Sequence, residues 1–337
     1  GKIQSEDEHV GILEEIEEKV RKGFSEHPFL MGRRTVYGVM PDWNPAEIIG
    51  IRPRPLALSL YRELITDTIW AYQRHNYGYR NLRSFPLIHS FSGLPYVDVR
   101  VSFNSFIPAE VEDSLATRMV DYYMDRLIDA PSLHDKIEFE IVLSCYSLDI
   151  DEKLSKLSEY GFSEKDLLNI KDCLRSLTND ILSPEKGLWQ RDAEKLQTLE
   201  TRRGELSNFV FNDPVELIYW LLEDTKRYGT LPFAGLARAA FIAIQFLKSL
   251  VKVELFSDSD YYSFLSSLNT INKRMLSDKN SLGKTEFLQR YGHLRPGTYD
   301  ILSPRYDEKP DYYFDWKSSL NAVSEPSNFH VSLNQMH

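Results

Sequence analysis

The strongest constraint on the fold is the long run of helical periodicity between residues 109 and 291. Apolar side chains recur there every three to four residues, the spacing that places them on one face of an α-helix. A similar segment spans residues 56–75, and an acidic amphipathic one spans residues 5–26. Within the long run we predict helices over residues 113–128, 132–148, 152–160, 163–182, 187–203, 214–227, 233–250, 258–276 and 284–291.

Residues 94–106 follow a different period. Apolar and polar residues alternate there, with Val97, Val99 and Val101 on one face and Asp98 and Arg100 on the other. This alternation predicts a β-strand over residues 94–106, and the β-branched and aromatic residues of 31–40 suit a second strand. The expected fold class is therefore mainly α (α+β), a multi-helix domain with a small β element in the first third.

Composition narrows the function classes. The 337 residues are 42% apolar, enough for a sizeable core, and the formal net charge of −10 argues against a nucleic-acid partner. The apolar stretch 231–253 is interrupted by Arg238, Gln245, Lys248 and Lys252, so we expect no membrane span. With two cysteines in apolar patterns and no signal peptide at the start, we expect buried thiols and a cytoplasmic location.

Part of the first third is locally basic, and its positive charges come from arginine alone. No lysine lies between Lys22 and Lys136, while residues 33–100 hold nine arginines against five acids. Arginine can bind a carboxylate or phosphate through two hydrogen bonds, and the interleaved aromatic residues could form the apolar lining of a pocket for a small anion. The alternative is that these arginines pair with nearby acids and only stabilise the subdomain. The set comprises Arg33, Arg34, Arg52, Arg54, Arg62, Arg74, Arg80, Arg83 and Arg100.

A second candidate site is the Gly- and Pro-rich loop over residues 290–305, in which polar groups are held on a constrained backbone path. Its chemistry-bearing residues are His293, Arg295, Tyr299, Asp300 and Arg305. His293 suits either a general base or a structural hydrogen-bonding role. The histidines lack metal-ligand spacing, so no metal site is predicted. Residues 229–238 (GTLPFAGLAR) indicate either a helix N-terminus that accepts an anion or close helix packing.

Two motifs resemble the central region of phosphoenolpyruvate-synthase-like proteins and, more distantly, the middle domain of rifampin phosphotransferase. They are GRRTVYGVMPDWNPAEIIGIRPRPLALSLY (32–61) and FLQRYGHLRPGTYDILSPRYDE (287–308). The positions that match the family pattern are Asn44, Glu47, Pro55, Leu56, Tyr291, Gly292, His293, Pro296, Gly297 and Asp300. Leu294-Arg295 and Thr298-Tyr299 depart from the rifampin enzymes, so we expect another acceptor.

The resemblance implies an acceptor-binding domain over residues 29–316, with a β-containing part at 29–108 and a helical part at 109–316. Residues 1–28 would be an acidic helix that is either the tail of a preceding domain or a linker, and residues 317–337 a linker toward a following domain. ATP-grasp and phosphohistidine domains would be the partners, and a small molecule the acceptor. ATP and Mg would be cofactors of the parent enzyme, with none bound by this fragment, which alone would be inactive.

Under this reading His293 is the catalytic candidate. The candidate substrate-binding residues are Arg295, Tyr299, Asp300, Arg305, Arg52, Arg54 and Arg80. The alternatives are a non-catalytic structural linker and a regulatory domain that binds a small molecule.

Overall fold

The computed structural model of the protein describes residues 6–296 and 303–316. It is 63% helical and 5% strand, with a three-stranded antiparallel sheet in the first third, which confirms the predicted fold class. The chain divides into two compact units, Gly1–Gln245 and Phe246–His337. The predicted linker over 317–337 lies outside the described residues.

Unit 1 begins with helix α1 (Glu6–Gly23), strand β1 (Tyr37–Gly38) and the short helix α2 (Pro45–Ile48). The predicted helix over 56–75 is present as α3 (Pro55–Tyr61), a π-helical turn (Arg62–Thr66) and α4 (Ile69–Asn76). Strands β2 (Ile88–Phe91) and β3 (Leu94–Asp98) form a hairpin, and the sheet order is β1-β3-β2. Ser92 and Gly93 at the hairpin turn both have positive φ, as a two-residue type I′ turn requires.

The predicted strand over 94–106 is wrong in its second half. The strand ends at Asp98, and helix α5 (Val99–Asn104) follows directly. The Asp98 carboxylate accepts a hydrogen bond from the Val101 backbone N–H, the usual way for aspartate to start a helix. All six residues of α5 are buried, including Arg100 and Ser102, so the alternation of residue types does not correspond to an exposed face.

The helices that follow in unit 1 are α6 (Asp113–Asp129), α7 (Ile137–Glu140), α8 (Ile150–Ser158), α9 (Glu164–Leu182), α10 (Leu188–Asn208) and α11 (Pro214–Asp224). The predicted helix over 132–148 is wrong, because only a 3-10 turn (Pro131–Leu133) and α7 form there. The main core contains Phe103, Met119, Tyr123, Ile150 and Leu174, and a smaller core surrounds Trp70 between α4 and the sheet.

Helix α12 (Leu231–Lys252) continues α11 through a π-helical turn (Thr225–Thr230). The turn precedes Pro232, which has no N–H to donate and whose ring disfavours a regular turn before it. The two helices predicted at 214–227 and 233–250 are therefore one run. By length and composition alone this run, Pro214–Lys252, could cross a membrane, and 39% of its most apolar window is buried. Core helices also meet these criteria, so the expected absence of a membrane span stays a prediction.

Unit 2 contains helices α13 (Asp258–Ser267), α14 (Ile271–Ser281), α15 (Lys284–Tyr291) and α16 (Pro310–Tyr313). The predicted helix over 258–276 is thus two helices, while the prediction for 284–291 is confirmed. The aromatic core of unit 2 centres on the buried Phe287 ring. The centroid of this ring lies 5.1 Å from that of Tyr291, 5.0 Å from that of Phe314 and 5.5 Å from that of Trp316.

Candidate functional site

Unit 1 contains a cavity of about 460 Å³, which is larger than two further cavities of about 260 and 380 Å³ and is called the large cavity below. It lies between the segment 40–48, helix α4, the segment 135–139 and the first half of α12. Its size is that of small-molecule sites, which are mostly apolar with a few fixed polar groups. The aromatic part of its lining is made by Trp43, Phe106, Phe139, Phe233 and Phe241.

One wall of the cavity has an unusual backbone. Asp42, Trp43 and Asn44 have φ values of 50°, 48° and 29°, in the left-handed region that side chains disfavour. Two contacts hold this segment: the Tyr61 hydroxyl donates to the Trp43 carbonyl, and the Asn44 side chain accepts from the Glu47 N–H at the start of α2. Each such residue costs on the order of 1–3 kcal/mol, and such outliers cluster at binding sites.

Asp42 in this segment forms a buried ion pair with Arg74 of α4. An Nη of Arg74 donates to Asp42 Oδ1 at 2.9 Å, and the other Nη donates to Ser105 Oγ at 2.7 Å. The second Asp42 oxygen accepts from Ser102 Oγ at 3.0 Å. The guanidinium also lies 4.1 Å from the centre of the Phe106 ring. This network fixes the strained segment to α4 and α5.

Arg238 of α12 supplies a second buried cation to the cavity. It is 3% exposed, and its Nη1 donates to the Glu138 carboxylate of α7. The guanidinium lies 5.0 Å from the centre of the Phe106 ring and 5.9 Å from that of Phe241. Burial, followed by repulsion from Arg74, lowers the pKa of Arg238 to about 10. The side chain therefore stays protonated at neutral pH.

Two buried donors in the cavity lining have no hydrogen-bond partner among the residues that the structure describes. They are Nε of Arg238 and Nε2 of Gln73, a residue of α4 that is 2% exposed. A buried donor without an acceptor costs about 1–3 kcal/mol, and an acceptor oxygen from a bound water or from a ligand would remove that cost. Since both groups are donors, the lining lacks acceptors at these two points. A carboxylate, phosphate or carbonyl oxygen would supply them.

Of the sequence-predicted residues in unit 1, Arg52 and Arg54 are exposed near the start of α3, and neither is among the residues that line the large cavity. Arg80 donates to the Val111 carbonyl at 2.7 Å and to Asp113 at 2.6 Å. Of the nine arginines, Arg74 lines the large cavity. Ion pairs with aspartate are made by Arg33, Arg34, Arg62, Arg74 and Arg80. Of these, Arg62–Asp67 and Arg74–Asp42 use the nearby acids that the stabilising alternative expected, whereas the other three reach aspartates of α6.

The second predicted site lies in unit 2. His293 and Arg295 are exposed, and Arg305 donates two hydrogen bonds of 3.0 Å to the Asp307 carboxylate. The segment returns on itself, because the Asp307 N–H donates to the Gly292 carbonyl at 3.0 Å. Tyr299 and Asp300 lie outside the described residues. The role of the loop stays a prediction.

The anion-accepting helix N-terminus considered at residues 229–238 is absent, because the helix runs through this segment. The packing alternative is confirmed. A Cβ at Gly235 would lie 1.9 Å from Asp192 Oδ2 and 2.4 Å from the Tyr77 hydroxyl, so only glycine permits this approach. Asp192 of α10 accepts a hydrogen bond of 2.7 Å from that hydroxyl.

Sequence reasoning missed Gln73, Glu138 and Arg238 as site residues. A signal was present for Arg238: a charged residue inside an otherwise apolar helix must find a buried partner or ligand. Among the described residues no group of three or more His, Cys, Asp or Glu side chains could hold a metal ion. No protein-family model, curated protein or solved structure matches the chain.

Proposed function

We propose that the large cavity of unit 1 binds a small organic molecule with a carboxylate or phosphate group on an apolar body. The single observation that carries this proposal is the pair of buried, unpartnered donors, Arg238 Nε and Gln73 Nε2, in an aromatic-lined cavity. Arg238 keeps Glu138 as its counterion through Nη1. A ligand oxygen would therefore complete the guanidinium's hydrogen bonding without displacing the existing ion pair.

In this proposal the chain is the acceptor-binding domain of a phosphoenolpyruvate-synthase-like, ATP-dependent phosphotransferase. ATP-grasp and phosphohistidine domains would bind ATP with Mg and deliver the phosphoryl group. The fragment itself binds no cofactor, contacts neither nucleic acid nor membrane, acts in the cytoplasm and is inactive alone. Phosphoryl transfer depends mainly on positioning and charge neutralisation, which a rigid, cation-containing acceptor site can provide.

His293 would act as general base toward the acceptor hydroxyl in the parent enzyme. Its side chain is exposed, as is that of Arg295 two residues on, so both are accessible to a neighbouring domain. A His293→Ala substitution in the parent enzyme should lower turnover by about 10²–10⁴-fold, the usual contribution of a general base. Unchanged turnover would remove His293 from the mechanism.

A regulatory, ligand-sensing domain is the second candidate, since the same cavity would bind an effector without turnover. A purely structural linker is less favoured. The five arginine–aspartate pairs agree with a linker, but a linker gives no reason for the unpartnered donors or for the strained segment at Asp42, Trp43 and Asn44.

A thermal-shift screen of the chain tests the proposed binding. The panel would contain pyruvate, phosphoenolpyruvate, hydroxy acids, phosphate monoesters, uncharged alcohols and ATP. A ligand at 100 times its Kd stabilises the folded state by about 2.7 kcal/mol. We expect shifts with acids or phosphate esters and none with the matched alcohols. Shifts with ATP alone, or with the alcohols equally, would contradict the proposal.

A further inference from the structure

A second cavity of about 260 Å³ lies in unit 1, between the end of α1, the β2–β3 hairpin and the start of α5. None of its lining residues belongs to the large cavity. Its lining contains one carboxylate, that of Asp98, against a larger set of nitrogen-bearing side chains. These are Lys19, Lys22, His27, His89 and Arg100.

Arg100 is the buried member of this set. It is 4% exposed, and one of its Nη atoms donates to the Ser25 carbonyl at 2.8 Å. Its Nε has no hydrogen-bond partner within residues 6–296 and 303–316. A guanidinium buried this deeply costs free energy unless its donors meet acceptors. Because Arg100 lines the cavity, its Nε is a candidate donor to an acceptor oxygen of a ligand there.

Both lysines are available to a ligand, although Lys19 also makes a long hydrogen bond of 3.4 Å to the Ser90 carbonyl. Lys19 and Lys22 pair with Glu15 at 2.6 Å and Glu18 at 2.8 Å, and all four side chains are at least 40% exposed. Exposed pairs contribute at most about 1 kcal/mol, so the ammonium groups can turn to a ligand at little cost. The His27 Nδ1 accepts a hydrogen bond of 3.1 Å from the Phe29 N–H, so Nε2 is the ring nitrogen that can donate to a ligand.

Among the remaining polar groups of the cavity, the Asp98 carboxylate is the one whose charge opposes an anion, and it stands against the three cations of Lys19, Lys22 and Arg100. At the end of α1 the Gly23 carbonyl accepts from the Thr35 N–H at 2.9 Å, so it is already satisfied. Burial, and to a lesser extent Asp98, raises the pKa of Tyr37 to about 12. The Tyr37 hydroxyl therefore keeps its proton at neutral pH and can donate a hydrogen bond to an anion. Asp98 is itself engaged by Thr35, Val101 and His89.

We propose that this cavity is a binding site for a phosphate group, either inorganic phosphate or the phosphate of a small monoester. A phosphate has enough oxygens to meet Arg100 Nε, the lysine ammonium groups and a histidine at once, and charge-assisted hydrogen bonds to guanidinium are among the strongest in proteins. The site is separate from the large cavity, and the proposal does not depend on the ligand of that cavity.

Isothermal titration of the whole chain with inorganic phosphate, at ionic strength held constant with chloride, tests this site. We expect saturable binding to one site. Arg100→Lys should weaken phosphate binding about tenfold, because lysine keeps the positive charge but lacks the planar guanidinium that donates two hydrogen bonds at once. Lys22→Ala, an exposed position that leaves the fold intact, should weaken it about two- to fivefold.

Two matched controls distinguish this site from general attraction and from the large cavity. Arg175→Ala removes an exposed cation of α9 that lines neither cavity, and Gln73→Met alters only the large cavity. Neither should change the phosphate Kd. A parallel titration of the Gln73→Met variant with glycerol phosphate, in which binding at the large cavity is weakened, shows whether this site prefers a monoester or free phosphate. The absence of saturable binding, or equal affinity in Lys22→Ala and Arg175→Ala, would overturn the proposal.

Discussion

Arg74 and Asp42 form an ion pair in which an Nη of the guanidinium lies 2.9 Å from the carboxylate, with side chains that are 5% and 6% exposed. The pair joins helix α4 to the segment in which Asp42, Trp43 and Asn44 have positive φ. Both residues line the large cavity. The shape of the proposed binding site therefore depends on an electrostatic contact between residues 32 positions apart in sequence.

Removing one partner of this pair should destabilise unit 1. Arg74→Met leaves Asp42 buried without its counterion, so we expect the free energy of unfolding to fall by about 3–5 kcal/mol. Urea denaturation followed by circular dichroism measures this. The control is Arg175→Ala, which breaks the exposed pair with Asp172 and should cost less than about 1 kcal/mol. Equal losses in the two variants would show that the Arg74–Asp42 pair does not hold the segment.

The helices could be predicted where period and boundary residues agree. Residues 284–291 lie between Gly283 and Gly292 and form the predicted helix, and α6 ends one residue beyond its prediction. The strand over 94–106 failed because its alternation continues past the point where Asp98 caps a helix. Residue type alone does not reveal this switch from strand to helix. A continued strand and the fully buried helix α5 would both place Val99 and Val101 in the core.

The candidate site could be predicted only in part. The arginine-rich window includes Arg74, which lines the cavity. Other arginines of the window, Arg33 and Arg34, pair with Asp121 and Asp125 of α6, and no local sequence pattern connects these residues. Arg238 and Glu138 are 100 residues apart. Their meeting depends on how α12 packs against α7, and only the folded structure reveals it.

The left-handed backbone at Asn44 predicts a contrast between two substitutions. Asn44→Gly keeps the positive φ at no steric cost and should change the free energy of unfolding by less than about 0.5 kcal/mol. Asn44→Val loses the cap on α2 and forces a β-branched residue into the left-handed region, so we expect a loss of about 2–3 kcal/mol. Thermal denaturation of both variants measures the contrast. Similar losses would mean that the strain is relieved in solution.

Gly235 predicts a steric effect in α12. Alanine there would place its Cβ against Asp192 and Tyr77, so Gly235→Ala should destabilise the protein by about 1–3 kcal/mol despite the better helix propensity of alanine. Gly204→Ala on the exposed face of α10, with nothing within 4 Å of the new Cβ, should instead stabilise by up to about 1 kcal/mol. Differential scanning calorimetry would detect opposite shifts in Tm. Shifts of the same sign would contradict the packing of α12 on α10.

Asp98 predicts a pH dependence of stability. Burial opposes its ionisation, but hydrogen bonds from His89, Thr35 and Val101 outweigh burial and lower the pKa of this carboxyl below its ordinary value of 3.8. The stabilisation from ionised Asp98 is therefore complete above pH 3.8 and is lost as pH falls through the lower folded pKa.

Asp98→Asn should remove this acid-dependent part of the stability. Urea denaturation of both proteins across the acid range would measure it. We expect the wild type to be more stable at neutral pH by about 1–3 kcal/mol and the two curves to converge in acid. Parallel curves would show that Asp98 does not titrate with folding.

The most direct test of the central claim is the affinity of the best acid or phosphate ester from the screen for the wild type, Gln73→Met and Arg52→Ala. Gln73→Met removes a donor that has no partner in the described part of the chain, so it should leave the free energy of unfolding unchanged or slightly higher. We predict that it weakens binding by about 10–100-fold, while Arg52→Ala, at an exposed residue outside the cavity lining, does not. Equal affinity in all three proteins would contradict the assignment of the large cavity as the ligand site.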